Sequence, residues 1–336
     1  LGLFLFGLEL MTGALKAVAG DRLRTVLGSL TRNRFTGALT GAAVTAVIQS
    51  SSVTTVVLVG FVSSGLMTMA QAVGVILGAN IGTTVTAQIV AFKVTKLALL
   101  LVAVGYAAIM TSKRETLRQH GTGMLGLGLV FLGMTFMGDA MAPLRGHPPV
   151  LEWMVRLEQP LLGILAGTAF TALVQSSSAT TGVVIAMAGG GLITLPAGIA
   201  LILGANVGTC VTALLAALGK PREAVRAAAV HVLFNVLGVL MWLAFIPELA
   251  SVAAQISPKA PELQGAEKLA ALVPRQIANA HTLFNTMNAL VFLPFTGLLA
   301  RAAVMLVPDR AEAAAPGARA KYLDAELLST PALALH

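Results

Sequence analysis

Residues 49–55 read Gln-Ser-Ser-Ser-Val-Thr-Thr, and residues 175–181 read Gln-Ser-Ser-Ser-Ala-Thr-Thr. The two motifs lie 126 positions apart, and the same offset joins Gly-Ala-Asn-Ile-Gly-Thr at 78–83 to Gly-Ala-Asn-Val-Gly-Thr at 204–209. No gap is needed to keep residues 1–91 in this register. Chance composition would give scattered matches of Gly and Ala, but not two long polar motifs at one offset. The chain therefore carries an internal duplication.

The duplicated stretches lie in an apolar chain of 336 residues, of which 57% are hydrophobic and only 11% are charged. Soluble domains carry about 25% charged residues. Residues 35–92 and 159–219 contain no Asp, Glu, Lys or Arg, and each is longer than two transmembrane helices of about 20 residues. We therefore predict an all-α polytopic membrane protein. The single cysteine excludes a disulfide scaffold, and the net charge of +8 lies in short clusters between apolar stretches, which argues against a nucleic-acid partner.

Loop charges predict that the two copies are inserted in opposite orientations. Segment 1–19 ends at an arginine-rich loop, whereas its copy, segment 121–142, ends at a loop in which basic and acidic residues balance. Basic loops stay in the cytoplasm, so the copies form two inverted-topology repeats, an arrangement typical of secondary transporters. The loops predicted to be cytoplasmic are 21–34, 113–118 and 220–226, and those predicted to be external are 145–158 and 248–275.

Each copy contains a block that is unusually polar for a membrane-crossing helix. We predict that blocks 36–64 and 162–191 are re-entrant hairpins, because Gln and Ser clusters are costly against lipid and tolerable against a cavity. The alternative is a full crossing pair with a short turn. Glycines on both sides of Asn80 and Asn206 predict an unwound turn, hence one broken transmembrane helix in each repeat. Segments expected to cross are 1–19, 69–92, 97–112, 121–142, 196–218, 227–246 and 277–307.

These segments divide the chain and place it in the plasma (inner) membrane as a multi-pass protein with a cytoplasmic C-terminus. The predicted parts are repeat 1 at 1–112, the inverted repeat 2 at 121–246, an external loop at 247–275, a final transmembrane helix at 276–307 and a cytoplasmic tail at 308–336.

The polar motifs offer neutral groups that suit both an anion and a hard cation. Serine hydroxyls and glutamine amides can donate or accept hydrogen bonds. A helix break frees backbone amides that attract anions, while hydroxyl and carbonyl oxygens suit sodium. Two simpler interpretations remain: Ser, Thr and Gly often serve only close helix packing, and Asn80 and Asn206 could cap helix ends.

At these motifs the chain resembles the sodium-dependent phosphate cotransporter family of type II, which includes bacterial members and has two inverted repeats with a Gln-Ser-Ser-Ser motif in each. The resemblance covers residues 1–307. It implies a symporter that imports inorganic phosphate by alternating access, with sodium ions as co-substrate, no further cofactor and the lipid bilayer as its surroundings. A sodium-coupled carrier of another small anion, such as sulfate or a carboxylate, is the alternative.

The resemblance also implies which residues form the site between the two motifs. Phosphate ligands are expected at Gln49, Ser50, Ser51, Ser52, Gln175, Ser176, Ser177 and Ser178. Sodium ligands are expected at Gln49, Ser52, Thr54, Thr55, Asn80, Thr83, Gln175, Ser178, Thr180, Thr181, Asn206 and Thr209.

Two other features allow different interpretations. The pattern His-x-Leu-Phe-Asn at 231–235 recurs at 281–285, where interhelical hydrogen bonding is favoured over a role in transport. An intramembrane hydrolase would need a serine with a nearby base, usually in Gly-x-Ser-x-Gly, and neither serine cluster lies in that motif. We therefore do not expect an enzyme. A channel is a further alternative, against which saturable, sodium-coupled flux would argue.

Overall fold

The structure, a computed structural model, describes residues 1–20, 22–31, 33–92 and 95–308, and the side chain of Ser52 lies outside this description. The predicted tail beyond residue 308 also lies outside the described residues. The described part is all-helical. Its α-helices are α1 Gly2–Ala19, α2 Arg22–Leu30, α3 Arg34–Ile48, α4 Ser51–Ser63, α5 Met69–Ala91, α6 Ala98–Thr111, α7 Glu115–Met141, α8 Pro148–Arg156, α9 Pro160–Val174, α10 Ser177–Gly189, α11 Leu195–Ala217, α12 Arg222–Trp242, α13 Ile246–Gln255, α14 Gly265–Phe292 and α15 Thr296–Leu306.

The duplication is visible in the helix boundaries. Helices α9, α10 and α11 begin and end 126 residues after α3, α4 and α5. In each copy a hairpin of two short helices packs against the long helix that follows it. The polar motif lies at the turn of each hairpin.

Six helical segments among the described residues are long and apolar enough to cross a membrane, and a seventh is possible if the bent pair α8–α9 counts as one span. This confirms a multi-pass, all-α membrane protein. Helix α6 has only 14 residues, or about 21 Å, so the predicted crossing at 97–112 is shorter than a hydrocarbon core of about 30 Å. The six segments are Gly2–Ala19, Met69–Ala91, Glu115–Leu144, Leu195–Ala217, Arg222–Gln255 and Glu267–Leu306.

The predicted helix breaks at Asn80 and Asn206 are wrong, because α5 and α11 are continuous over 23 residues each. The neighbouring glycines have a packing role instead. A Cβ on Gly78 would overlap the carbonyl oxygen of Ala38, and a Cβ on Gly204 would overlap that of Ile164. Glycine thus lets the first arm of each hairpin lie directly against the long helix.

We expect Gly204→Ala to destabilise the protein by about 1–3 kcal/mol, because the added methyl group overlaps a backbone oxygen that cannot move alone. Gly60→Ala in α4 is the matched control, since nothing lies within 4 Å of its Cβ position and alanine favours a helix by up to about 1 kcal/mol. Thermal unfolding in detergent measures both. Equal melting temperatures for the two variants would contradict this account of the close approach.

A different repeat, with an offset of 50 residues, spans residues 222–306 and includes the two His-x-Leu-Phe-Asn patterns. Helices α12 and α14 end at Trp242 and Phe292, 50 residues apart, and each continues through a short 3₁₀ turn into α13 or α15. The segment predicted as an external loop, 247–275, therefore contains most of α13 and the start of α14. The apolar face of α13, which is buried against α11 and α14, explains the difference.

Contacts between equivalent positions are reciprocal and antiparallel. Phe234 packs on Phe292 with ring centroids 5.6 Å apart, and Trp242 packs on Phe284 at 6.2 Å. Since 284 and 292 are the 50-residue equivalents of 234 and 242, the two ring contacts are related by the pseudosymmetry of this repeat. The amide of Asn288 lies against its own equivalent, Gly238, at the centre of the crossing.

Candidate functional site

The turn of each hairpin consists of a glutamine and the serine that follows it. Gln49 has φ 58° and Gln175 has φ 57°, and they are the only non-glycine residues with positive φ in the described chain. The next residue, Ser50 or Ser176, caps the second helix, its hydroxyl accepting from the amide of Val53 at 3.4 Å or of Ala179 at 3.2 Å. A glutamine in the left-handed region costs about 1–2 kcal/mol. Strain of this kind, held by the surrounding fold, is frequent at functional sites.

A hydrogen bond between two threonines joins the two arms of each hairpin. Thr45 and Thr54 share a hydroxyl hydrogen bond of 2.9 Å, and Thr171 donates to Thr180 at 2.7 Å. All four side chains are buried. Thr54 and Thr180, expected as sodium ligands, therefore lie between the hairpin arms rather than at the open tip.

The two tips meet around one small polar cavity of about 60 Å³. This volume holds a few water-sized groups. Among the described residues that line it, none is charged. The lining residues are Gln49, Ser50, Ser51, Thr83, Gln175, Ser176, Ser177, Ser178, Thr209 and Thr212.

The electrostatics of the cavity come from helix ends. Helices α4 and α10 both begin at the cavity, at Ser51 and Ser177, so the free amides of two first turns adjoin it. The positive ends of two helix dipoles favour an anion there. The serine and threonine oxygens in the same wall can ligate a cation, so one cavity offers both kinds of group.

The two halves of the cavity differ. Gln49 is 7% exposed and accepts a hydrogen bond from the hydroxyl of Thr86 on α5. Its equivalent, Gln175, is exposed to the cavity. The equivalent of Thr86 is Thr212, whose buried hydroxyl has no hydrogen-bond partner among the described residues. The glutamine and threonine are thus hydrogen-bonded in repeat 1, whereas their equivalents in repeat 2 are not.

Ser52, expected as a ligand of both ions, has a side chain outside the described residues. The other predicted ligands lie outside the cavity wall. Asn80 and Asn206 are buried, and the Asn80 amide donates to the carbonyl oxygen of Ile76 at 3.0 Å. Thr55 donates to the carbonyl oxygen of Ser51 at 2.9 Å, whereas the buried hydroxyl of Thr181 has no partner.

Three residues at the site were not among the predicted ligands. Thr86 holds Gln49, Thr212 lines the cavity, and His231 contacts the cavity residue Thr209. A signal was available for the first two, since both are threonines at equivalent positions of the duplication. The histidine was noted in the sequence only for interhelical hydrogen bonding, and its contact with Thr209 is of that kind.

A larger, mostly apolar cleft of about 330 Å³ opens between α4 and the α11–α12 pair. Its wall runs from Thr55, near the tip, to Lys220, in the loop between α11 and α12. The equivalent interface of α10 with α5 and α14 is closed: Ala186 is 4% exposed, whereas its equivalent, Gly60, is exposed. The cleft therefore exists on one side of the pseudosymmetric pair.

The fold and the cavity define a multi-pass, all-α membrane protein in which two matching hairpins enclose an uncharged polar site. The chain belongs to the Na+/Pi-cotransporter family, whose sequence profile matches residues 3–139 and 150–256. The resemblance to sodium-dependent phosphate cotransporters is thereby confirmed.

Individual relatives carry different names. "Uncharacterized protein YqeW" of Bacillus subtilis is 31% identical over 76% of this chain and 83% of its own length. "Putative inorganic phosphate export protein YjbB" of Escherichia coli is 30% identical over 77% of this chain, which spans about half, 48%, of that protein. "Sodium-dependent phosphate transport protein 2C" of Rattus norvegicus is 45% identical over 24% of this chain and 14% of its own length. No solved structure matches the chain.

Proposed function

We propose that the protein is a sodium-coupled symporter that imports inorganic phosphate across the plasma (inner) membrane, with substrate and sodium held between the two Gln-Ser-Ser-Ser tips. The observation that carries this proposal is the cavity where two helix N-termini and two sets of neutral oxygens meet. The amides of Ser51 and Ser177 would hold phosphate oxygens. Hydroxyl oxygens of the same wall would hold sodium, whose charge compensates the anion in the absence of a basic residue among the described lining.

We propose further that the two repeats have inverted topology and that the hairpins are re-entrant. Support comes from antiparallel, reciprocal contacts: Gly7 lies against Val130, and its equivalent, Gly133, lies against Phe4, the equivalent of Val130. The pairing of α12 with α14 follows the same rule. The basic loop at Lys220 supports a cytoplasmic position for the open cleft and for the C-terminus.

Alternating access would follow if the two repeats exchanged their conformations. In the present state the cleft beside α4 is open and the interface of α10 is closed. Closing the first and opening the second would produce the mirror state, in which Gln175 accepts from Thr212 and Gln49 leaves Thr86. Inverted repeats give both states similar energies because each is built from equivalent contacts.

Coupling to sodium gives import its driving force. Moving a divalent anion inward against about 100 mV costs about 4.6 kcal/mol before any concentration term. One sodium ion entering down that potential and a tenfold gradient supplies about 3.7 kcal/mol, so import of the divalent form needs two or more sodium ions. Export, the activity named for the relative YjbB, is the second candidate, because the same cavity could work in reverse if the gradients differed.

We expect purified protein in proteoliposomes to accumulate labelled phosphate when sodium is higher outside, because sodium entry drives the uphill step. Uptake should be saturable, and phosphate should accumulate to at least about tenfold the level reached with an equal potassium gradient, since a tenfold sodium gradient alone contributes about 1.4 kcal/mol. Empty liposomes and a choline gradient are the controls. Uptake indifferent to sodium would refute the coupling, and accumulation only under an outward sodium gradient would favour export.

Competition identifies the anion. Arsenate, which shares the tetrahedral geometry and charge of phosphate, is expected to compete with labelled phosphate. Sulfate or a dicarboxylate competing more strongly than unlabelled phosphate would instead favour the alternative carrier of another small anion.

A further inference from the structure

The two buried histidines of the 50-residue repeat are equivalent in position but differ in their hydrogen bonds. His231 and His281 are each 2% exposed. The Nε2 of His231 lies 3.1 Å from the hydroxyl of Thr209. Neither ring nitrogen of His281 has a hydrogen-bond partner among the described residues.

The natural partner of His281 is Thr83. Helix α14 packs against α5 as α12 packs against α11, and Thr83 is the 126-residue equivalent of Thr209, just as His281 is the 50-residue equivalent of His231. Both threonines line the polar cavity. One histidine–threonine pair is therefore formed and the other is not, as with the two glutamine–threonine pairs.

The donor in the formed pair follows from counting hydrogens. Thr209 donates its single hydroxyl hydrogen to the carbonyl oxygen of Asn206 at 2.6 Å, and Thr83 donates to that of Asn80 at 2.7 Å. A threonine hydroxyl has one hydrogen and two lone pairs. The Nε2 of His231 must then be the donor, and it occupies one lone pair of the Thr209 oxygen.

This bond makes the two cavity threonines unequal ligands. No described side chain donates to the oxygen of Thr83, so both of its lone pairs remain for a ligand in the cavity. A cation is held by lone pairs, and an oxygen that already accepts from an imidazole N–H is a poorer ligand. In the present state Thr83 is thus the better cation ligand and Thr209 the poorer one.

We infer that His231 and His281 are positioning residues for sodium, acting through Thr209 and Thr83. Each histidine occupies one lone pair of its threonine oxygen when the pair is formed and frees that lone pair when the pair opens. Exchange of the two halves moves the engaged pair from His231–Thr209 to His281–Thr83. This inference rests on the proposed sodium coupling, and it adds an outer layer to the site without placing either histidine on the transported ions.

The test is sodium titration of phosphate uptake with His231→Leu and His231→Gln. In His231→Leu the oxygen of Thr209 is free, so the half-saturating sodium concentration should fall by about 3- to 10-fold, as expected for loss of one competing hydrogen bond. The phosphate KM at saturating sodium should change less than about 2-fold, within the usual scatter of a bystander substitution. His231→Gln keeps an N–H donor and should retain the wild-type value. His120→Leu, at an exposed histidine of α7, is the matched control.

A double-mutant cycle and a binding measurement separate this role from a structural one. If His231 acts through Thr209, adding His231→Leu to Thr209→Val should change nothing further, because the oxygen is already gone. Sodium-induced thermal stabilisation without phosphate should increase in His231→Leu. Additive effects, or His231→Gln behaving as His231→Leu, would overturn the inference while sodium-driven uptake stands. Sodium-independent uptake by the wild-type protein would overturn the proposed function and this inference together.

Discussion

Gln175→Gly is expected to lower sodium-driven phosphate uptake by about 10- to 100-fold while leaving the protein at least as stable as the wild type. The loss follows because the Gln175 side chain is exposed to the cavity, where a hydrogen bond to a charged ligand contributes about 1.5–3 kcal/mol. The stability is kept because the residue has φ 57°, a conformation that glycine adopts freely and other residues adopt at a cost of about 1–2 kcal/mol. Uptake in proteoliposomes and thermal unfolding in detergent measure the two effects.

Gln175→Ala is the matched control for the backbone. It removes the same side chain but keeps the strained conformation, so it should be as inactive as Gln175→Gly and less stable. Equal uptake by wild type and both variants would remove Gln175 from the site. If only Gln175→Ala lost uptake, the turn rather than the side chain would be what transport requires.

The duplication made the equivalence of the helix pairs α3–α4 and α9–α10 predictable, because one offset carried both polar motifs from repeat 1 to repeat 2. The helix breaks were mispredicted for a physical reason. Glycine beside a polar residue fits an unwound turn and a close helix crossing equally well, and only the position of Ala38 beside Gly78 decides between them. Sequence spacing along one helix carries no information on what packs against it.

The cavity could be anticipated, but its asymmetry could not. Two identical motifs predict two equivalent glutamines, whereas the fold buries Gln49 and exposes Gln175. Identical motifs carry no information on which of two equivalent halves is closed in a given structure. The recurrence at 281–285 was visible in the sequence, but it did not predict a 50-residue repeat of helices, because its offset is not 126 and the helices match in contacts more than in residues.

Cysteines at the equivalent positions 60 and 186 are expected to exchange reactivity when the transporter changes state. Gly60 lines the open cleft and Ala186 is 4% exposed in the closed interface. Without sodium and phosphate, Gly60→Cys should react with a membrane-impermeant thiol reagent from the cytoplasmic side at least about tenfold faster than Ala186→Cys, since a minor state is populated at about 0.1–10%. Cys210 is the single cysteine and is buried, and Cys210→Thr, which copies Thr84, supplies the background.

Sodium with phosphate outside should slow the reaction of Gly60→Cys and let Ala186→Cys react from the external side, because the two interfaces cannot both be open without a leak. The reciprocal change is the informative result, since a local effect of ligand on one cysteine would leave the other untouched. The Cys210→Thr protein without added cysteines corrects for background labelling. Gly60→Cys unreactive from either side would mean that lipid fills the cleft, and parallel changes at both cysteines would mean that the halves move together rather than in exchange; either result argues against alternating access through these two interfaces.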